Sequence, residues 1–154
     1  MALRKETIKT QFTEALPAVL EPGEQMQART FCVSGPNPLL AQGLFGIIGL
    51  LLFQMRWYFV AVTDRRVVFM KASYWTGRPS GFAWADPRAS VSVSDVNLGA
   101  KVWGHFKYTT PTKPSALRLN VHRWWLEEGN AVVAALTPAS AASSRSEPTG
   151  SPAS

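Results

Sequence analysis

The chain has very few of the residues from which enzyme centres and metal sites are usually built. Cys32 is the single cysteine among 154 residues. No internal disulfide can form, and no cysteine-based metal site can be assembled. A lone thiol fits a reducing compartment. The two histidines, His105 and His122, stand in no HxxxH or HExxH spacing. A strand histidine without a partner acid or nucleophile reads as structural. There is no GxxxxGK[ST] or GxGxxG phosphate loop, which argues against nucleotide hydrolysis. Asp64, Asp86 and Asp95 each lie beside turn signals, where aspartate serves the backbone. Cys32 itself reads as a small buried hydrophobe. The expectation is a non-enzymatic protein that needs no cofactor. A secretory signal is not expected either: Arg4 and Lys5 would open one, but Glu6, Lys9, Gln11 and Glu14 interrupt any apolar core.

What is present is enough for one domain with a real core. Hydrophobic residues make up 46% of the chain, which argues against wholesale disorder. The net charge is +6, and it is unevenly placed. Residues 1–38 and 138–154 are each neutral, so the middle of the chain supplies the whole excess, with eleven Lys and Arg against five Asp and Glu. Such a segment is attracted to anionic surfaces, phospholipid or nucleic acid, although a solvated basic surface has the same composition.

Residues 5–20 predict an amphipathic helix with Ile8, Phe12, Ala15, Leu16 and Val19 on one face, ended or kinked at Pro17. Most such helices cover a core. Gln25–Val33 predicts a strand, broken by Gly35-Pro36-Asn37-Pro38. Arg56–Thr63 and Arg66–Lys71 predict a hairpin turning at Asp64-Arg65. A loop at Gly77–Gly81 and short strands at Gly81–Ala85, Ser90–Val96, Lys101–Tyr108 and Ala116–Val121 follow. In the last strand Leu117, Leu119 and Val121 alternate with Arg118, Asn120 and His122, the period of a half-solvated strand. Trp124–Leu136 has helical spacing, with Trp125, Gly129, Val132, Val133 and Leu136 on one face. Gly129 costs about 1 kcal/mol relative to Ala in a helix, so a start after it is expected. From Thr137 the sequence loses all periodicity and predicts a disordered tail.

Three pieces together resemble the bacterial PH-like domain family, in particular its uncharacterised actinobacterial members. They are LEPGEQ at 20–25, YFVAVTDRRVVF at 58–69, and a strand leading into a final helix. The phrases GRPSGFAWADPR and LNVHRWW add to the likeness. The resemblance spans roughly residues 16–136. It implies a mostly β (α+β) fold: a partly open barrel of about seven strands, capped by a C-terminal helix and used for binding. The N-terminal amphipathic helix and an apolar helical insertion after the first strand are added to it. One domain, 1–137, is expected, with the insertion at 38–55 and the tail at 138–154. Eukaryotic PH domains hold inositol phosphates with basic residues after their first strand. Here the corresponding segment has no Lys or Arg before Arg56, so that role is not carried over.

The insertion is the most unusual feature. From Leu39 to Phe53 the only polar side chain is Gln42, and Gly43, Gly46 and Gly49 recur three residues apart. A spanning helix needs about 20 apolar residues, and this run is shorter. A full span would also separate Gln25–Val33 from the strands it pairs with. A membrane-dipping helix or hairpin on anionic lipid ranks first, and a core or dimer-interface helix second. The contact residues would be Leu44, Phe45, Ile47, Ile48, Leu51 and Leu52, to lipid, to a protein partner or to a second copy. A cytoplasmic location, at the inner face of the cell membrane, goes with the first reading. Single-stranded nucleic acid is a weaker reading. It rests on Trp57, Trp75, Trp84, Trp103, Trp124 and Trp125 mixed with Arg78, Arg88, Lys101, Lys107 and Arg123. Core anchoring by the tryptophans is preferred to it. Arg78 and Arg88, flanking GFAWADP, are the candidates for contact with a phosphate-bearing partner.

Overall fold

The computed structural model describes residues 2–52, 55–73, 75–99 and 102–138, with side chains described throughout except at positions 2–4, 42, 47 and 49–52. The expected tail from 139 onward, and Lys101, lie outside these residues. Seven strands form one antiparallel sheet: β1 (Met26–Ser34), β2 (Arg56–Thr63), β3 (Arg66–Ala72), β4 (Pro79–Pro87), β5 (Ser92–Asn97), β6 (Trp103–Thr109) and β7 (Leu117–His122). Their order is β4-β3-β2-β1-β7-β6-β5, so β4 and β5 are the edges and the sheet is not closed. Three helices join it: α1 (Ala2–Ala15), α2 (Pro38–Leu52) and α3 (Leu126–Leu136).

The register explains the long apolar runs of β1 to β3. Thr30, Val60, Phe69 and Trp84 form one cross-strand row, and Phe31, Phe59 and Met70 form a row on the opposite face. Both rows are covered. On the first face Phe69 stacks on Trp84 at 4.2 Å, and Tyr108 of β6 meets Phe69 at 5.0 Å. Helix α3 packs there too: Gly129 lies so close to Val121 that a Cβ would meet Cγ1 at 3.1 Å. On the second face α1 lays Phe12 on Phe59, centroids 4.7 Å apart. Lys5 and Lys9 tie α1 to Glu128 of α3 at 2.9 and 2.7 Å. A strand buried on both faces reads as a continuous apolar run rather than an alternation, and β2 does so.

Among the boundaries that differ from expectation, two have a specific physical cause. Helix α3 begins at Leu126 and runs through Gly129, because the close approach to Val121 needs a residue without a side chain. Strand β4 begins at Pro79. Proline lacks a donor for the ladder but is tolerated as the first residue of an edge strand. The predicted end of α1 at Pro17 agrees with the structure: the helix stops at Ala15, and a short 3-10 turn carries the proline.

The open sheet is held in shape by two buried carboxylates. Asp86 at the end of β4 accepts hydrogen bonds from Tyr108 Oη (2.8 Å), Thr112 Oγ1 (2.6 Å) and Trp84 Nε1 (3.0 Å), and so bridges β4 to the β6 side of the sheet. Burial raises its pKa, but these hydrogen bonds outweigh burial and hold it below the usual value. Glu24 joins the Pro22-Gly23 turn to the β2–β3 hairpin. Its carboxylate accepts from Arg66 Nε and Nη2, both at 2.9 Å, and from Thr63 Oγ1 at 2.6 Å. Arg66 Nη2 also donates to the Val19 carbonyl at 2.8 Å. Hydrogen bonding from Arg66 lowers the Glu24 pKa from 4.5 to about 2, against the opposing effect of burial.

A carboxylate with a depressed folded pKa adds stability that is present above pH 4.5 and is lost as the pH falls towards 2. Glu24→Gln should therefore flatten the acid limb of a stability–pH profile. It should cost about 1–2 kcal/mol at pH 7, allowing for solvent screening. Urea denaturation at several pH values checks both effects.

Candidate functional site

The candidate site is the end of the sheet where β1 finishes and β2 begins. The two strands pair up to Ser34 and Arg56, and the whole apolar insertion leaves and returns between those residues. Its start follows from local chemistry. Asn37 Oδ1 accepts the Leu39 N–H at 3.0 Å, and Pro38 sits in the first turn, where a missing donor costs nothing. Helix α2 is not one straight rod. Gly46 has φ 57° and ψ −145°, a conformation essentially reserved for glycine, so two helical arms meet there.

The root of the insertion is tightly held. Asn120 of β7 is buried, and its Nδ2 donates to the carbonyls of Val33 (3.2 Å), Gly35 (2.9 Å) and Pro36 (3.2 Å). Its Oδ1 accepts from Arg118 Nε at 3.2 Å. The Gly35 N–H reaches the Arg118 carbonyl at 3.1 Å. Alternation along β7 predicts Asn120 on the wet face. It is buried because it satisfies three carbonyls of the turn that launches α2.

Beyond this root most of the described side chains are exposed. Pro38 and Ala41 are buried, but Leu40, Leu44 and Ile48 are 63%, 73% and 66% exposed. Leu39 and Phe45 are also exposed. Of the six predicted contact residues, Leu44, Phe45 and Ile48 thus lie at the surface, on both sides of the Gly46 break. The side chains of Ile47, Leu51 and Leu52 lie outside the described residues. No described helix is long and apolar enough to cross a membrane.

The same end of the sheet carries a second exposed element. Trp57 pairs with Ala72, and Ala72 with Pro79, so the β3–β4 turn at 73–78 lies beside the α2 root. The turn is closed by Ser73 N–H to the Arg78 carbonyl and Gly77 N–H to the Ser73 carbonyl, each 2.9 Å. Trp75 at its tip is 80% exposed. At this end of the sheet Arg56 and Tyr58 of β2, Lys71 of β3 and Ser80 of β4 line a cleft. The sequence has no acidic residue between Glu24 and Asp64 or between Asp64 and Asp86; an acid that does reach this end of the sheet is Glu14 of α1, which shares a cleft with Arg78.

The other predicted site residues are dispersed. Arg78 and Arg88 sit at opposite ends of β4, a strand of nine residues. At about 3.3 Å per residue that places them about 30 Å apart. Arg88 donates to the Thr63 carbonyl (3.1 Å), to Gln27 Oε1 and to the Ala135 carbonyl, and so clamps α3 to the sheet. Arg78 is exposed and lines a shallow cleft with Gln11 and Glu14 of α1. Trp84 and Trp125 are packing residues. Trp57, Trp103, His122 and Trp124 form an edge-to-face row on the outer face of the sheet. Nearby Lys107 is ion-paired with Asp95 at 3.1 Å. Cys32 is fully buried, and burial pushes its thiol pKa far up. Among the described residues no group of three or more His, Cys, Asp and Glu stands together as a metal site. Compared with known proteins, the chain matches no family model and no curated relative.

Asn120→Ala should leave three carbonyls at the α2 root short of their donor and cost about 2 kcal/mol. Asn120→Asp should be no better, since it also lacks the amide. Denaturant titration of the two variants measures this.

Proposed function

We propose that the protein is a non-catalytic, PH-like binding module that docks on an anionic membrane surface from one side through α2. The observation that carries this reading is a short, broken, apolar helix held out from a rigid root with Leu40, Leu44 and Ile48 in water. Moving one such side chain out of water is worth about 1.5–3 kcal/mol, so a few of them suffice for reversible attachment. A helix that is apolar all round has no polar face to leave at the rim of a protein interface, which favours lipid over a docking groove. Arg56 and Lys71 beside it add attraction to anionic headgroups, worth about 1 kcal/mol each near the surface. Attachment from one side suits the cytoplasmic face of the cell membrane. The PH-like part of the proposal is supported by seven antiparallel strands with a C-terminal helix, and by the Glu24–Arg66 clasp, which joins the two motifs that carry the resemblance.

The test is sedimentation with phosphatidylcholine–phosphatidylserine vesicles at low salt. The wild-type chain should pellet with the vesicles. A Leu44→Asp/Ile48→Asp variant should stay in the supernatant with unchanged thermal stability, because these side chains add nothing to the core. A wild-type chain that stays in the supernatant without detergent would contradict the proposal. If the variant instead abolishes a concentration-dependent dimer, the segment is an interface between copies.

A further inference from the structure

We infer that the β3–β4 turn is a second insertion point and that Trp75 enters the headgroup region beside α2, fixing the orientation of the domain on the bilayer. The inference rests on the membrane reading of α2 and adds a residue and a geometry to it. Strands β1 to β4 are consecutive neighbours, so the β1–β2 connection and the β3–β4 turn are two strand spacings apart, about 10 Å. Both leave the same end of the sheet. A single short helix would let the domain swivel about its root; two contacts define a line and leave much less freedom.

The turn is built to present its tryptophan. Its two backbone hydrogen bonds close it, Gly77 takes the positive φ of 67° that the turn requires, and Ile8 of α1 packs against Gly77 from behind. Trp75 is therefore exposed on a hydrogen-bonded turn. Tryptophan combines a large apolar ring with one N–H donor, and it concentrates where hydrocarbon gives way to water. The cations are placed to match. Arg56 and Lys71 line a cleft at this same end of the sheet, where they would meet headgroup phosphates as both insertion points settle. The occupant is an anionic phospholipid surface. A neutral surface offers these cations nothing.

The experiment uses the full chain and phosphatidylcholine–phosphatidylserine vesicles whose acyl chains carry bromine, which quenches nearby indole fluorescence. Wild type and Trp75→Ser are compared for affinity and for quenching on binding. The expected result is a loss of about tenfold in affinity for Trp75→Ser, together with a smaller quenched component. Neutral phosphatidylcholine vesicles should bind both proteins weakly. Equal affinity and equal quenching for the two proteins overturns the inference and leaves the α2 reading intact. If the wild type binds no vesicle at all, the α2 reading fails and takes the inference with it. Because Trp75 is exposed, the variant is expected to fold, and an unchanged melting curve confirms that any loss is one of contact.

Discussion

The β1–β2 ladder pairs without interruption from Ala28 and Val62 to Ser34 and Arg56, and the character of the apolar insertion follows from that constraint. A segment that leaves and re-enters a sheet at paired residues must have both ends on the same side of any surface it touches. Helix α2 meets this condition by breaking at Gly46, where a left-handed φ lets the chain change direction. A single crossing of a bilayer would pull Ser34 and Arg56 to opposite sides and cost the whole ladder. The apolar residues are therefore confined to dipping into a surface or pressing against one.

The body of the domain gives them a stiff platform. Glu24 with Arg66 locks the entry to β1 against the β2–β3 hairpin, Asp86 holds β4 to the β6 side of the open sheet, and Asn120 fixes the launch of α2. Buried polar groups of this kind are costly unless satisfied, and here the described donors converge on them. Cover by α1 and α3, which meet through the ion pairs of Lys5 and Lys9 with Glu128, means that the exposed leucines of α2 are not needed to complete the core. Their exposure is a surplus of apolar surface beside a finished domain, which is what a docking element requires.

Much of this was legible in the sequence, and the reasons for the misses are specific. Periodicity located the strands to within about two residues at most ends, and it identified the inward faces of α1 and α3, because those signals are local. The Gly129 and Pro79 boundaries were misplaced because their outcome depends on Val121 and on β4 being an edge, neither of which is encoded nearby. Asn120 read as a solvent-facing residue because alternation assigns a face but does not reveal a turn folded over that face. Arg88 read as a free cation because its acceptors, Thr63 and Ala135, lie 25 and 47 residues away. In the sequence Trp75 is one of six tryptophans. Its distinction comes from sharing a sheet end with α2, which needs the register. The pieces Pro-Gly-Glu and Thr-Asp-Arg-Arg carry part of the resemblance, and they are the two halves of one ion-paired clasp.

The claim that α2 contacts a bilayer from one side is tested most directly by depth. A nitroxide is attached at Leu44→Cys, and for comparison at Gln27→Cys on the far end of β1, in a chain with Cys32 replaced by alanine. Accessibility to dissolved oxygen and to a water-soluble nickel complex is then measured on anionic vesicles. The account predicts that the position-44 label becomes oxygen-accessible and nickel-protected while the position-27 label stays in water. A position-44 label that remains nickel-accessible on vesicles, or is protected equally in their absence, would contradict it.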